Sequence, residues 1–207
     1  VALLHEAGIP ADVLQLLPGD GPSVGAPLTA DPRIAGVCFT GSTEVARLIE
    51  RQLAKTAAPD AMLIAETGGL NAMIVDSTAL PEQAVRDVVA SAFQSAGQRC
   101  SALRILYVQK DVEEKVLEML KGAMEALRLG DPALISTDIG PVIDDEAREN
   151  LLAYCAAMEG KGRLVAKLEA PREGRFVSPH IFRVAGIGEM EREMFGPILH
   201  VATFEAE

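Results

Sequence analysis

Short apolar runs alternate with helix-like patterns along the first half of this chain, and this alternation limits what the chain can fold into. Helical patterns occupy residues 43–53 and 81–95 and separate the apolar runs. Strands that alternate with helices predict a parallel sheet within an α/β fold. The predicted strands of this part are residues 13–17, 34–39, 62–65, 72–75 and 104–108.

The second half continues with longer helical patterns and shorter strand candidates. Helices are predicted over 112–127 and 144–159, and the second has acidic residues in its first turn, as the helix dipole favours. A glycine pair, Gly68 and Gly69, marks the predicted domain boundary. The first residues lack an initiator Met and are typical of a helix end capped by Gly8, so we expect a segment of a longer protein. Strand candidates lie near 164–165, 180–184 and 199–204.

The composition favours small-molecule chemistry over binding to nucleic acid or membranes. The formal net charge is −11, from 19 basic and 30 acidic side chains, and no basic run offsets it. A chain this acidic repels nucleic acid and anionic lipid. No apolar run reaches the roughly 18 residues of a membrane span. We therefore expect neither nucleic acid contacts nor a transmembrane segment.

Three widely spaced cysteines, Cys38, Cys100 and Cys155, do not form a disulfide framework. They fit a reducing compartment, so a cytoplasmic location is expected. No Cys/His spacing resembles a zinc site, and no metal site is expected. Cys38 lies in an apolar strand and is predicted to be a buried, inert thiol, and Cys155 is predicted to be partly buried in a helix.

Cys100 follows Gly97, where a helical pattern breaks and delivers a single thiol. A free thiol has a pKa of about 8.5, so roughly a few per cent is nucleophilic thiolate at neutral pH. A nearby cation such as Arg99 would raise that fraction, and the alternative is that Arg99 forms a salt bridge with a neighbour. The pattern by itself predicts a possible reactive thiol.

Residues 39–44, Phe-Thr-Gly-Ser-Thr-Glu, form a small-residue turn between a predicted strand and a predicted helix. A helix N-terminus reached in this way offers free N–H groups and a positive dipole end to a phosphate, and Ser42 could add a hydroxyl. The ordinary alternative is a turn with Ser42 or Thr43 as N-cap. The absence of G-x-G-x-x-G favours that alternative.

Two carboxylates stand beside glycine turns. Glu66 ends a strand just before Gly68, where it could act as a general base in a dry pocket or remain a solvated loop carboxylate. Glu193 precedes Phe195 and a Gly-Pro turn. Glu193 could accept ribose hydroxyl protons while Phe195 packs against a ring, and the alternative is an ordinary turn before a strand.

The order of these motifs resembles the aldehyde dehydrogenase superfamily over the whole chain. Residues 93–104, together with Ala46, resemble the dehydrogenase module of the bifunctional proline utilization A family. The resemblance implies an α/β fold in which a partial Rossmann-like parallel sheet is followed by an α/β catalytic domain. The motifs that carry it are Phe39-Thr40-Gly41-Ser42-Thr43-Glu44, Glu66-Thr67-Gly68-Gly69, Gly97-Gln98-Arg99-Cys100, Gly140-Pro141-Val142-Ile143-Asp144, Phe176-Val177-Ser178-Pro179 and Glu193-Met194-Phe195-Gly196-Pro197.

The resemblance implies a role for each candidate residue in the NAD⁺-dependent oxidation of glutamate γ-semialdehyde. Cys100 would be the nucleophile and its backbone N–H half of an oxyanion hole, while Glu66 would activate the hydrolytic water. The remaining implied roles are the nicotinamide and pyrophosphate path for Thr40, Gly41 and Ser42, the nicotinamide ribose for Glu193, the nicotinamide ring for Phe195, and the substrate for Ser101 and Arg99.

The resemblance also implies what lies outside this chain. Residues 1–67 would be the C-terminal half of the NAD-binding domain, and residues 68–207 an incomplete catalytic domain. The asparagine of the oxyanion hole, the substrate carboxylate anchor and the oligomerisation strand have no counterpart here. FAD would belong only to a separate proline dehydrogenase domain, and the parent would be a homo-oligomer. Two alternatives stay open: a structural module that is inactive alone, and a dehydrogenase for another semialdehyde such as succinate semialdehyde.

Overall fold

A computed structural model describes residues 1–56 and 60–205 of the chain. Positions 57–59, 206 and 207, which the two predicted domain ranges include, lie outside the described residues. The chain divides into two compact units, Val1–Gly68 and Gly69–Glu207, and the division falls within the glycine pair. The roles of the two ranges, as half of a cofactor domain and as a catalytic domain, stay predictions.

Unit 1 is built around a pair of parallel strands joined by a helix. Strands β1 and β2 pair in parallel with Gly36 opposite Met62 and Gly41 opposite Thr67. This arrangement confirms the predicted strand–helix–strand order in this unit. Its elements are α1 (Ala2–Glu6), α2 (Ala26–Ala30), β1 (Gly36–Gly41), α3 (Thr43–Thr56) and β2 (Met62–Thr67).

The strand predicted over residues 13–17 is wrong. Pro10 opens a turn there, with its carbonyl accepting from the N–H groups of Val13 and Leu14. The carbonyl of Leu14 is bound by the His5 ring instead of a strand neighbour. Apolar sequence was not sufficient, because a strand forms only where a partner satisfies its backbone.

The Cys38 thiol is also not where the sequence placed it. Cys38 lies in β1, as expected, but its side chain is exposed within the described residues. Alternation along a strand sends successive side chains to opposite faces, and Cys38 is on the open one. The prediction of a buried Cys38 is therefore wrong, whereas Cys155 is buried.

Unit 2 has a five-stranded sheet in the order β3-β4-β7-β6-β5. Neighbours are parallel except β5, which runs antiparallel to β6 with a register shift. The central strands β4 and β7 are buried along most of their length, as expected for a parallel sheet covered on both faces. The strands are β3 (Ala72–Val75), β4 (Ile105–Gln109), β5 (Leu164–Lys167), β6 (His180–Arg183) and β7 (Ile198–Phe204).

The helices of unit 2 are α4 (Pro81–Phe93), α5 (Glu113–Glu125) and α6 (Asp145–Gly160). Pro81 stands at the first position of α4, where a proline needs no hydrogen-bond donor. The Asp144 carboxylate caps α6 by accepting from the N–H of Ala147 at 2.7 Å. These signals explain why the sequence predicted the helix starts closely.

The core of unit 2 is aliphatic, with Phe93 and Phe182 as its fully buried aromatic side chains among the described residues. It fills the space between the sheet and α4, α5 and α6. Across the described ranges, every helix is too short or too polar to cross a membrane. The mixed architecture with parallel sheets confirms the predicted α/β class.

Candidate active site

The turn that carries Cys100 begins at the end of α4 with three residues in the left-handed region. Ser95, Ala96 and Gly97 have φ values of 55°, 53° and 65°. For Ser and Ala this conformation costs roughly 1–2 kcal/mol each, which the surrounding contacts must offset. The helix therefore stops sharply, and the chain turns to present Cys100 a few residues later.

Gly97 is required by a close backbone approach. A Cβ built at this position would lie 2.1 Å from the carbonyl oxygen of Gly196 and 2.8 Å from that of Ala92. Only a residue without a side chain fits there. The turn before Cys100 and the Glu193–Pro197 turn are thus in direct backbone contact within unit 2.

Cys100 is exposed, and its backbone carbonyl is held by a hydrogen bond from Asn71. The Nδ2 of Asn71 donates to the carbonyls of Cys100 at 2.7 Å and of Ala102 at 2.9 Å. Among the described residues, none accepts a hydrogen bond from the N–H of Cys100. Sequence reasoning missed Asn71, although an amide just after the glycine pair was a visible signal.

Arg99 does not form the ion pair that was one of its predicted alternatives. Within the described part of the chain its guanidinium has no acidic partner, and Nη2 donates to the carbonyls of Ala90 at 2.9 Å and Ser91 at 3.3 Å. These carbonyls belong to the last turn of α4, which a cation stabilises. A role of Arg99 at the thiol or the substrate stays a prediction, and so does that of the exposed Ser101.

Glu193 is held by a residue that the sequence analysis did not single out, Arg104. Oε1 of Glu193 accepts from Nε of Arg104 at 3.0 Å and from Nη2 at 2.8 Å. The Arg104 side chain is 0% exposed and that of Glu193 is 16% exposed. Burial lowers the pKa of Arg104, and the bound Glu193 carboxylate opposes that shift. A buried guanidinium needs such a partner.

Phe195 lies beside the same ion pair and is partly exposed. The Arg104 Cζ stands 5.4 Å from the centroid of the Phe195 ring, a cation–π distance. The Phe195 side chain is 45% exposed. A large apolar ring that stays open beside a buried ion pair offers a packing surface to a planar ligand.

The candidate residues of unit 1 meet at the carboxyl ends of β1 and β2. Thr40 is directly opposite Glu66 in the parallel pair, and Gly41 is opposite Thr67. The hydroxyl of Ser42 accepts from the N–H of Val45 at 3.2 Å, so Ser42 is an N-cap of α3, as one alternative predicted. The Ser42 hydroxyl hydrogen is left to donate. Ligands of open parallel sheets bind at this edge.

The structure thus brings the candidates together as two groups. Cys100, Glu193 and Phe195 share unit 2, tied through Arg104, while Thr40, Gly41, Ser42 and Glu66 share the strand ends of unit 1. Both groups combine exposed polar donors or acceptors with a fixed backbone. Within unit 2 an exposed thiol suits covalent chemistry, and within unit 1 a helix N-terminus suits a phosphate.

Comparison with known proteins gives the class of this chain. The profile of the aldehyde dehydrogenase family matches residues 1–207. The chain belongs to the aldehyde dehydrogenase family. This confirms the resemblance drawn from the ordered motifs.

Its relatives include bifunctional PutA proteins and 1-pyrroline-5-carboxylate dehydrogenases. The chain is 54% identical to the bifunctional protein PutA of Klebsiella aerogenes over 215 residues, covering 99% of this chain and 16% of the relative. It superimposes with a TM-score of 0.95 and 57% identity on a proline utilization A variant from Bradyrhizobium japonicum, covering 99% of this chain and 21% of that one. A 1-pyrroline-5-carboxylate dehydrogenase from Thermus with bound NAD gives a TM-score of 0.91 at 36% identity, covering 99% and 41%. The chain spans about a sixth of the length of the PutA relative.

Proposed function

We propose that this chain carries the nucleophile, the base and part of the cofactor site of an NAD⁺-dependent dehydrogenase that oxidises L-glutamate γ-semialdehyde to L-glutamate. The identity to PutA over nearly the whole chain supports the substrate. The single observation that carries the chemistry is the exposed Cys100 turn, held against the Glu193–Pro197 turn by a glycine contact and a buried arginine. That arrangement ties the backbone turn before the thiol to the turn that carries a carboxylate and a partly exposed aromatic ring.

Residues within each unit fit parts of a dinucleotide. Both hydrogen bonds from Arg104 reach Oε1 of Glu193, which leaves Oε2 to accept from ribose hydroxyls. The half-exposed ring of Phe195 can pack against a nicotinamide, and the α3 N-terminus with the Ser42 hydroxyl suits a pyrophosphate. The Thermus relative contains NAD, and NAD⁺ when bound would supply a hydride acceptor at carbon.

Cys100 would begin the reaction as its thiolate. Its sulfur attacks the aldehyde carbon, and the carbonyl oxygen becomes an oxyanion that the free N–H of Cys100 stabilises. A donor of this kind contributes about 3–4 kcal/mol to the transition state. Loss of hydride from the resulting thiohemiacetal leaves a thioester on Cys100. The hydrogen bond from the Asn71 amide to the Cys100 carbonyl keeps the backbone of Cys100 in place throughout.

Glu66 would complete the cycle by hydrolysis. Its carboxylate takes a proton from a water molecule, the hydroxide attacks the thioester carbon, and the Cys100 thiolate leaves. The product is the carboxylic acid, and the thiol is ready for another aldehyde. Thr40, which faces Glu66 in the strand pair, would order the same edge for the cofactor.

The proposal extends to the parent protein. The parent would be a cytoplasmic homo-oligomer, with FAD only in a separate proline dehydrogenase domain. The 207-residue chain alone would bind NAD⁺ poorly, because apolar side chains such as Met62 and Ile64 stand 69% and 52% exposed on β2. Tight NAD⁺ binding by that chain in calorimetry would contradict this part.

The test uses the full-length protein that contains this chain. Cys100→Ala should abolish NADH formation from glutamate γ-semialdehyde while NAD⁺ affinity stays within about twofold, because the thiol is the nucleophile and not a cofactor ligand. Cys38→Ala, which alters another exposed thiol, is the matched control and should leave turnover unchanged. Retained turnover in Cys100→Ala would overturn the proposal. If the wild type oxidised succinate semialdehyde faster than glutamate γ-semialdehyde, the assigned substrate would be wrong.

A further inference from the structure

We infer that Arg104 is a positioning residue that holds the Glu193 carboxylate and the Cys100 turn in one arrangement, so that NAD⁺ affinity depends on Arg104 through Glu193. The inference rests on the proposed function, because it takes Glu193 as a ligand of the cofactor ribose. It adds a residue that contacts neither the aldehyde nor the reacting atoms.

The guanidinium of Arg104 reaches both turns of the site. Nε and Nη2 donate to Glu193, and Nη1 donates to the carbonyl of Gly196 at 3.1 Å. Nη2 also donates to the carbonyl of Arg99 at 3.2 Å, one residue before Cys100. One planar group therefore fixes the Glu193 carboxylate, the Gly-Pro turn and the turn before Cys100 together.

The backbone of Arg104 is fixed as firmly as its side chain. Its carbonyl accepts from the N–H of His200 at 2.9 Å and from Nδ1 of the same residue at 2.9 Å. Its N–H donates to the carbonyl of Asn71, the residue whose amide holds Cys100. The backbone of Arg104 cannot shift without loss of these bonds. The direction in which its side chain extends toward Glu193 is therefore well defined.

The exposure of the two partners separates a positioning role from plain core packing. Arg104 has no exposed side-chain surface, while Glu193 keeps 16% of its side chain exposed and an oxygen without a bond to Arg104. A pair that served only stability could be replaced by apolar residues of similar volume at little or no cost. Here the buried cation presents the carboxylate at the surface, ready for a ligand.

The experiment is a double-mutant cycle on NAD⁺ affinity in the full-length protein. Arg104→Lys keeps the charge but loses the planar fork, and should raise the Kd for NAD⁺ about tenfold. Glu193→Ala should raise it by a similar factor. In the Glu193→Ala background, Arg104→Lys should change the Kd less than about threefold, because the group through which it acts is gone.

A second readout follows the link to the nucleophile. Without NAD⁺, Glu193→Ala should change the rate at which iodoacetamide alkylates Cys100 at least about threefold. In this variant Arg104 loses its bonds to Glu193, so its hold on the carbonyl of Arg99, one residue before Cys100, changes. This measurement needs no substitution of the buried arginine. In Arg104→Lys, KM for NAD⁺ should rise, whereas KM for the semialdehyde should stay within about threefold.

Two controls separate positioning from loss of stability. Arg163→Lys alters a half-exposed ion pair with Glu189, and Ile181→Val shortens a fully buried core side chain. Neither should change the Kd for NAD⁺. An equal effect of Arg104→Lys with and without Glu193, or an unchanged alkylation rate, would overturn the inference. Wild-type protein that does not bind NAD⁺ would overturn the proposed function and the inference together.

Discussion

The hydroxyl of Tyr154 lies 2.6 Å from Nε2 of His200 in the core of unit 2. Since Nδ1 of His200 faces a carbonyl, it must be the protonated nitrogen, and Nε2 accepts from the tyrosine. Burial raises the pKa of Tyr154 to about 12, so the phenol remains a donor at neutral pH. The histidine is thereby fixed as a neutral ring.

Removal of the Tyr154 hydroxyl should destabilise unit 2. Tyr154→Phe leaves the buried Nε2 of His200 without a donor, which costs about 1–3 kcal/mol of unfolding free energy. Urea unfolding followed by circular dichroism measures this loss of unfolding free energy. Tyr107→Phe breaks a more exposed bond to the N–H of Ile187 and should cost less. Equal stability of Tyr154→Phe and wild type would contradict the bond.

The stability of unit 2 should fall as the pH drops from 7.5 to 5.5. Burial lowers the pKa of His180 and of His200 below the ordinary value of 6.5. Below pH 6.5 the unfolded chain binds protons at these positions, while the folded chain does not until its own lower pKa is reached. The unfolded state is therefore favoured on the acid side.

The measurement is the unfolding free energy by urea at several pH values across this window. His200→Asn removes one of the two groups and should reduce the slope of stability against pH, although it also lowers stability at pH 7.5. A stability that is flat or rises toward pH 5.5 in the wild type would show that these rings are not buried as neutral groups.

Gly97→Ala should disrupt the turn that precedes Cys100. The added methyl would meet the Gly196 carbonyl at 2.1 Å in a backbone with φ of 65°. We expect a loss of at least about 1–3 kcal/mol in stability and a large fall in turnover. Gly122→Ala is the matched control, because its Cβ meets nothing within 4 Å inside helix α5. That change should raise stability by up to about 1 kcal/mol. Full activity of Gly97→Ala would contradict the close contact.

Glu66→Gln should separate the two halves of the proposed reaction. An amide cannot take a proton from water, so hydrolysis of the thioester should slow by about 10²–10⁴-fold. Rapid mixing should then show one NADH per site in a burst, followed by slow turnover. Glu50→Gln, on the exposed surface of α3, is the control and should retain normal steady-state rates. Unchanged turnover in Glu66→Gln would assign the base to another residue.

The sequence predicted those features that depend on neighbours along the chain. Strand β3 matches residues 72–75, and α4 begins at Pro81, because periodicity and a terminal proline act locally. The break before Cys100 was visible as a glycine in a helical pattern. The same local signals predicted a strand over residues 13–17, which was wrong because none of the strands in the described part of the chain pairs with it.

The burial and partners of polar groups were beyond the sequence. Cys38 sits in a strand as predicted, yet only the sheet decides which face is open. A salt bridge was one of two alternatives predicted for Arg99, and its guanidinium instead donates to carbonyls of helix α4, with no acidic partner among the described residues. The roles assigned to Thr40, Gly41, Ser42, Glu66, Glu193, Phe195 and Ser101 stay predictions.

The sequence by itself determined the α/β class and most of the order of the elements, since these follow from local periodicity and ordered motifs. The tertiary structure alone decided that Arg104 holds Glu193. These residues stand 89 positions apart, and no pattern along the chain records the pairing. Parallel β4 and β7, paired at Ile105 and His200, bring the two turns together at one end of the sheet. Burial then makes the ion pair obligatory, because an unpaired guanidinium there would cost several kcal/mol.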